Sequence, residues 1–446
     1  MDDVPEVTSN VQRRRVAVLG CGSAGIGAAW AVKQYTSCEV VVFERHGNVG
    51  GLWLYQDPLT GNYTSMYEGL RVNVPVEMMP YPAFRRLPES VKQLENSFPS
   101  REVFQEYMDM AATEMGVRAL TRFGTTVVKA ERSGELWKLT LSQGGKTTQE
   151  VFDYFLICNG HHEARLVPPE LREKFPLLDK DPRFVHSADY NTASTFKGCK
   201  NVLVVGSASS GMDISMQIAE EAERVSVYVR PTSAMLQRPI GSKVEVITEL
   251  GDTGRFDGAV FCTGYAVHLP FLPIELRSTS DLVLHTFSKE AKNLFFIGLP
   301  QRVPPCALYQ LQGMVVAGVI SGQIERPCTA DFGPRKCDAD KAQATEPCTI
   351  GSHEYYDEEH LRLRHEIGPE LQGYWDFMCE LLLPMDGTAS ARLKNEGGVL
   401  VSVYLEALAK RAAGGLGNEA LYRSETCRID WNADGTADVK WAAAFA

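Results

Sequence analysis

The chain has 446 residues, 44% of them apolar and 23% charged, and its 45 Lys and Arg against 56 Asp and Glu leave a formal charge of −11. That is the composition of a folded globular protein with length for roughly two or three domain-sized units, and it excludes a disordered or fibrous chain. The acidic balance argues against a nucleic-acid partner or an anionic membrane surface, and no apolar run approaches the roughly 20 residues of a spanning helix. The acidic, polar start (Met1, Asp2, Asp3, Val4) shows no secretory signal, and a C-terminal membrane anchor is not expected. The 11 cysteines form no C-x-x-C pair and no zinc-ligand spacing, so no metal site is expected and a cytoplasmic location with reduced thiols is.

The first predicted strand is Val16-Ala17-Val18-Leu19, followed at once by Gly20-Cys21-Gly22-Ser23-Ala24-Gly25. A helical pattern then runs to about Tyr35, and Glu39–Phe43 reads as a second buried strand ending at Glu44. This is G-x-G-x-x-G in a βαβ setting. Gly20 allows the tight turn, Gly22 lets a pyrophosphate approach the backbone, and Gly25 lets helix and strand pack closely. The helix start at Ser23 and Ala24 offers free N–H groups and a positive dipole end to phosphates. Glu44 can accept hydrogen bonds from both hydroxyls of an unphosphorylated ribose. A glycine-rich turn alone would be an ordinary connection; strand, helix, second strand and terminal acid in register point to a nucleotide site.

Ser100 is placed to cap a helix that carries Val103, Phe104, Tyr107, Met108, Ala111 and Met115 on one face. Short alternating strands are predicted at 125–128 and 136–141, and an apolar strand at 153–158 ends in Asn159-Gly160. The glycine pattern then returns. Val202-Leu203-Val204-Val205 leads into Gly206-Ser207-Ala208-Ser209-Ser210-Gly211, a helical stretch to about Glu223 and a strand over 225–229. Ala208 replaces the middle glycine, and its methyl group would crowd a pyrophosphate slightly. Arg230 stands as far after Gly211 as Glu44 stands after Gly25. A guanidinium there would pair with a 2′-phosphate that a carboxylate would repel, although a solvated surface arginine is the plain alternative. The first unit therefore suits FAD or NAD, and the second NADPH.

Apolar strands recur at 258–262 and 294–297, so the second unit reads as inserted into the first. The expected fold class is α/β with two dinucleotide-binding, Rossmann-like domains, the NADPH-binding domain inserted into the FAD-binding domain, plus a mostly helical C-terminal extension. The expected divisions are 1–167 and 291–326 for the FAD-binding domain, 168–290 for the NADPH-binding domain and 327–446 for the extension.

Several ordered motifs resemble those of the flavin-containing monooxygenases, class B flavoproteins of the kind that oxygenates soft nitrogen and sulfur. Glu44-Arg45 with Gly50-Gly51-Leu52-Trp53 is similar to the stretch after the FAD-binding acid. Tyr67 to Pro75, with Leu70-Arg71-Val72-Asn73-Val74-Pro75, resembles the family's L-R-T-N-x-P segment, and Phe98-Pro99-Ser100-Arg101 the start of the next helix. Asn159-Gly160-His161 resembles its strand-end N-G-H, and Phe261-Cys262-Thr263-Gly264-Tyr265 its F-A-T-G-Y hinge. The likeness covers about residues 14–325. Of the identifying F-x-G-x-x-x-H-x-x-x-Y/F, Val185-His186-Ser187 and Tyr190 match the second half. Lys180 and Pro182 stand where phenylalanine and glycine belong, with Phe175-Pro176 as a displaced start. Tyr190, rather than tryptophan, is similar to the heteroatom oxygenases. The side chain of His186 reads as a satisfied structural histidine.

The resemblance implies that FAD lies against the first glycine loop, Glu44, Arg45, Gly51, Leu52, Trp53, Arg71 and Asn73. It implies NADPH at Gly206, Ser207, Ser209, Ser210, Gly211 and Arg230, with Gly160, Thr263, Gly264, Tyr265 and Gln312 as further cofactor contacts. Asn73 would be the catalytic residue, beside the reactive edge of the flavin; its amide can donate to a developing peroxide without being a proton source. A turn asparagine ahead of Pro75 is the alternative. The implied chemistry belongs to the cofactors. NADPH reduces FAD, O2 adds at C4a, NADP⁺ stays to shield the hydroperoxide, and a nucleophilic sulfur or nitrogen of a small molecule takes the distal oxygen. Such a reaction needs no acid–base triad, only a dry pocket and a retained nicotinamide. A homodimer is consistent with the resemblance. An uncoupled NADPH oxidase making hydrogen peroxide is the alternative activity. A disulfide reductase would need a cysteine pair near the flavin, and a non-enzymatic nucleotide sensor is opposed by the intact Gly20, Gly22, Gly25 and Glu44.

From about Glu325 the family pattern gives out. A long loop is expected over 328–352 and helices over 355–383 and 399–412, with Tyr374, Trp375 and Phe377 packing on the FAD-binding domain. Asp430 to Gly435 resembles half of a calcium loop, but its twelfth position is Trp441 and not glutamate, so a hairpin turn is expected.

Overall fold

β1 (Arg15–Leu19) is short, but Val16, Ala17 and Val18 are fully buried, as in a parallel strand covered on both faces. Each such valine contributes about 1.5–3 kcal/mol relative to an exposed one. α1 (Ser23–Tyr35) is the crossover to β2 (Glu39–Phe43), which pairs with β1 in parallel, Leu19 opposite Phe43. The computed structural model describes residues 13–55, 64–229, 243–280, 282–327, 371–413 and 426–442.

α2 (Arg101–Glu114) buries Phe104, Tyr107, Met108 and Ala111, the face read from its periodicity. Ser100 stands at its N-cap but makes no side-chain cap; it bonds the Glu102 carboxylate instead. The charge-assisted bond to Glu102 is the stronger of the two options. β3 (Thr121–Arg122) leads into an antiparallel meander of β4 (Thr125–Ser133), β5 (Leu136–Gln143) and β6 (Lys146–Phe152), longer than the sequence indicated. β7 (Tyr154–Ile157) then returns beside β1 in parallel.

The chain next leaves this sheet. β8 (Ala164–Arg165), α3 (Pro169–Lys174) and β9 (Phe184–His186) precede the second βαβ unit, which is β10 (Val202–Val205), α4 (Ser209–Glu221) and β11 (Val225–Tyr228). β12 (Val244–Ile247), β13 (Gly258–Phe261) and β14 (Tyr265–Ala266) follow. The second sheet has the order β12-β11-β10-β13-β9, every pairing parallel. β15 (Leu294–Phe296) rejoins the first sheet, whose order is β15-β7-β1-β2-β3. The two late apolar strands thus serve different sheets: the one predicted at 258–262 completes the second, the one at 294–297 the first. The antiparallel ribbon β8–β14 lies at the two chain crossings between them.

α5 (Pro305–Ser321) is buried on nearly every side and packs on α1 at backbone distance. A Cβ on Gly313 would lie 2.8 Å from Ala28 Cα, and one on Gly27 3.0 Å from Gln310 Cα. The extension contributes helices Leu371–Leu382 and Gly387–Ala413. The second begins well before the expected 399 and runs through Gly397. A Cβ there would meet the Trp375 indole at 2.1 Å, so the helix-weakening glycine is the groove that seats the tryptophan. Trp375 is fully buried and donates to Leu393 O at 2.7 Å, while Phe377 is half-buried. β16 (Thr426–Trp431) and β17 (Ala437–Ala442) form the expected hairpin. Arg85 lies 3.7 Å from the Trp431 ring centroid and pairs at 2.7 Å with the buried Glu396, so the extension is anchored to the segment before α2.

The expected loop over 328–352 and the first part of the expected helix over 355–383 lie outside the described residues. Among the described residues no helix is long and apolar enough to cross a membrane, and no group of three potential metal ligands occurs.

Candidate active site

Gly20 leaves β1 at φ +98°, and a Cβ there would lie 2.6 Å from Cys158 O. One on Gly25 would lie 1.9 Å from Gly20 O, so only glycine lets α1 close on the loop. Gly22 has a role the sequence did not show. It faces Gly51, whose Cα would be 3.3 Å from a Gly22 Cβ, and Gly50 N donates to Cys21 O at 3.0 Å. The Gly50–Gly51 turn is thereby laid against the loop, bringing Leu52 and Trp53 with it. The N-cap of α1 is Gly22 itself, with no side chain to cap the first N–H groups, an arrangement that suits an anion. Glu44 is buried at the strand end; Oε2 accepts from Cys21 N at 2.8 Å and Oε1 from His46 N at 2.9 Å. Each oxygen keeps a lone pair for a ribose hydroxyl. These residues fit the adenosine diphosphate half of FAD.

The second loop repeats the geometry. Gly206 has φ +103°, a Cβ on it would meet Cys262 O at 2.6 Å, and one on Gly211 would meet Gly206 O at 2.0 Å. Ala208 is the N-cap of α4 and gives no side-chain cap, and Ser209 and Ser210 open this second helix. Arg230 lies outside the described residues.

Between the loops the structure brings two distant segments together. Asn73 is exposed, and its Nδ2 donates to Ser209 Oγ at 3.1 Å. Tyr67 OH donates to the buried Asp213 Oδ2 at 2.6 Å, and Gln217 Nε2 donates to the same oxygen at 3.3 Å. Tyr190 OH donates to Gln217 Oε1 at 3.0 Å, with the Tyr67 and Tyr190 rings edge to face at 5.3 Å. Burial pushes the Tyr190 phenol well up, so it remains a neutral donor. Two of the expected contact residues hold protein groups: Arg71 donates to Phe98 O at 2.7 Å and Asn96 Oδ1 at 3.0 Å, and Arg45 pairs with Glu163 at 2.6 Å.

At the hinge, Thr263 Oγ1 donates to Leu166 O, and Gly264, at φ +95°, accepts from Leu166 N at 3.1 Å. His186 is fully buried, its Nδ1 accepting from Ala188 N at 3.1 Å and its Nε2 lying 3.0 Å from Gly264 O. That pattern requires the Nε2–H tautomer. Burial lowers its pKa to about 4, so it is neutral and structural, as expected. Phe175, the displaced start of the linker motif, is buried edge to face with Phe261 at 5.2 Å. Tyr265 lies edge-on to both His186 and His162, at 5.1 and 5.4 Å.

Gly160 turns at φ +75° after β7, and His161 follows. Burial holds His161 neutral, at about 3, and its Nδ1 is buried without a partner. A buried nitrogen left unsatisfied by the protein at the C-terminal edge of a dinucleotide sheet fits a bound group there. Gln312 departs from the expectation of a cofactor contact. It is fully buried, Oε1 accepts from Gly298 N at 3.2 Å, and Nε2 donates to Thr286 Oγ1 at 2.9 Å and Tyr374 OH at 3.0 Å. An amide with all its polar atoms bonded inside the protein presents none to a ligand. Tyr67 entered the sequence reading only as the start of the segment that carries Asn73; Asp213, Gln217 and Gly298 were not singled out, and no local pattern marks them.

The family model described as flavin-binding monooxygenase-like matches residues 13–248. Flavin-containing monooxygenase FMO GS-OX-like 4 of Arabidopsis thaliana is 32% identical over 366 residues, covering 73% of this chain and 80% of that protein. FMO GS-OX5 of the same plant is 31% identical over 357 residues, covering 72% and 76%. Of the solved structures, S-allyl-L-cysteine S-oxygenase from Allium sativum superposes with a TM-score of 0.73 at 23% identity, covering 91% of this chain and 95% of the other. Tmm from Pelagibacter sp. strain HTCC7211 superposes at 0.69 and 20% identity, covering 95% of each chain. Two glycine loops of matching geometry, a buried strand-end acid and these similarities give one conclusion: the chain belongs to the flavin-containing monooxygenase family.

Proposed function

We propose that this flavin-dependent monooxygenase takes electrons from NADPH and one oxygen atom from O2 to oxygenate a nucleophilic sulfur or nitrogen of a small molecule. NADPH supplies two electrons, one oxygen atom enters the sulfoxide or N-oxide, and the other leaves as water. The observation that carries this reading is the Asn73–Ser209 hydrogen bond, which puts the proposed catalytic amide of the flavin side at the mouth of the second nucleotide loop. FAD, when bound and reduced, would supply the activation of O2 at C4a. Glu44 and the open start of α1 would hold its adenosine diphosphate half, and the start of α4 the phosphates of NADPH. Asn73 would donate from Nδ2 where negative charge develops on oxygen.

The S-oxygenase among the structural neighbours supports trying thioethers first. The experiment incubates purified holoenzyme with NADPH, O2 and a panel of thioethers and amines. It measures NADPH consumed, oxygenated product and hydrogen peroxide. Product approaching one per NADPH for at least one thioether or amine is expected. Peroxide matching NADPH with every compound would replace the proposal by an uncoupled NADPH oxidase.

A further inference from the structure

The C-terminal extension reaches the flavin side of the molecule through one buried polar relay. Tyr374, on the helix Leu371–Leu382, donates to Leu284 O at 2.9 Å and accepts from Gln312 Nε2 at 3.0 Å. Gln312 also donates to Thr286 Oγ1 at 2.9 Å and accepts from Gly298 N at 3.2 Å. Gln312 and Thr286 are fully buried, and burial pushes the Tyr374 phenol up to about 12, so every member stays neutral.

Both ends of the relay are constrained. Leu284 and His285 have φ of +53° and +54°, a conformation that non-glycine residues adopt only when their surroundings hold them there. Tyr374 holds that turn by its bond to Leu284 O and by the edge-on ring of His285 at 5.8 Å. At the other end Gly298 follows β15 at φ +94°, and a Cβ there would lie 2.8 Å from the Ala24 Cβ. The Gly298 peptide is therefore pressed on the first turn of the helix that faces the phosphates. Its backbone also hydrogen-bonds His161, the residue with the orphaned Nδ1. Anchoring the extension does not require this chain of bonds, because Arg85, paired with Glu396 and stacked on Trp431, already provides it.

We propose that Tyr374 is a positioning residue for the flavin site: through Gln312 it fixes the Gly298 peptide, and with it His161 and the start of α1. The extension, which the family match over 13–248 does not reach, is then a structural part of the cofactor site. The proposal rests on FAD occupying the first glycine loop.

The test compares Y374F with S390A. Ser390 Oγ donates to Cys379 O at 2.6 Å, so S390A loosens the same helix pair away from the relay. Y374F is expected to raise the dissociation constant for FAD roughly tenfold and to alter the visible circular dichroism of the bound flavin. S390A is expected to lower Tm and leave both flavin readings at the wild-type values. Unchanged flavin readings in Y374F, or equal changes in the two variants, overturn the proposal. If Y374F gives no folded protein, T286V, which removes an acceptor of the Gln312 amide, is held to the same criteria. Wild-type protein that binds no FAD overturns the flavin assignment and the relay together. Wild type that binds FAD beside an unaffected Y374F overturns the relay alone.

Discussion

The amide of Asn73 and the hydroxyl of Ser209 meet at 3.1 Å across the two nucleotide-binding units. Ser209 opens α4, so whatever settles on the second glycine loop lies next to the group that orients the Asn73 amide. Asn73→Ala should keep NADPH-driven flavin reduction within about twofold and lower oxygenated product about a hundredfold, with peroxide rising in its place. Ser209→Ala should shift the balance of product and peroxide the same way, but less. Rapid-mixing absorbance for the reductive step, with product and peroxide assays, decides it; unchanged product yield in Asn73→Ala would leave that residue a structural turn.

A second bond holds the same interface from within. Tyr67 OH donates to the buried Asp213 carboxylate at 2.6 Å, and Tyr190 of the linker joins through Gln217. Taking the hydroxyl away leaves a buried polar side chain with one fewer hydrogen-bond partner, at a cost of about 1–3 kcal/mol. Tyr67→Phe should therefore lower Tm and raise KM for NADPH, because the two units lose their shared register. Combined with Asp213→Asn the losses should be less than additive. Strictly additive losses in thermal denaturation would mean the two side chains do not act as a pair.

The glycine loops allow the two cofactors to be separated. A Cβ on Gly25 would lie 1.9 Å from Gly20 O and one on Gly211 2.0 Å from Gly206 O, contacts that require the backbone to move. Gly25→Ala should yield protein purified without flavin. Gly211→Ala should retain FAD yet lose most of its reduction by NADPH while remaining reducible by dithionite. Flavin loss from both variants alike would show that the loops are not independent sites.

These loops were legible in the sequence because each is a local pattern, a buried β-rich run followed by glycines at fixed offsets. The strand β2 (Glu39–Phe43) matches its expected bounds, and β1 differs by one residue. The contacts that join the units were not legible. Asn73 and Ser209 are 136 residues apart and Tyr67 and Asp213 146, and nothing periodic relates them. Gln312 shows another limit. A buried amide on a largely apolar helix marks an internal bond as readily as a ligand contact, and only the neighbours Gly298, Thr286 and Tyr374 tell the two apart. In the extension, no local pattern shows why a helix runs through Gly397; Trp375 occupies the space its side chain would fill.

Arg230 stands as far after Gly211 in the sequence as Glu44 does after Gly25, although one residue further past the end of its strand, and its proposed role rests on that spacing. A guanidinium bound to a 2′-phosphate makes charge-assisted bonds that NADH cannot offer. Arg230→Ala should raise KM for NADPH about tenfold or more and change that for NADH little. Steady-state kinetics with both nucleotides is sufficient, and an equal effect on the two would remove the assignment.

Glu77 makes stability depend on pH in the direction opposite to most carboxylates. Its Oε1 accepts from Ser97 Oγ at 2.8 Å, while Oε2 is buried without a partner; Ser97 in turn accepts from Cys427 N of the C-terminal hairpin at 2.7 Å. Burial raises the Glu77 pKa from 4.5 to about 7. The folded state then binds the proton more tightly than the unfolded chain. Its contribution is fully present below about pH 4.5 and is lost as pH rises through 7. Glu77→Gln mimics the protonated form, so it should leave Tm nearly unchanged at pH 5 and raise it by a few degrees at pH 8. His186 and His161, buried neutral with pKa values of about 4 and 3, act in the other sense, and stability falls as pH drops below their unfolded value of 6.5. Thermal melts of wild type and Glu77→Gln across that range separate the two effects, and a shift of equal size at pH 5 and pH 8 would show that Glu77 does not titrate there.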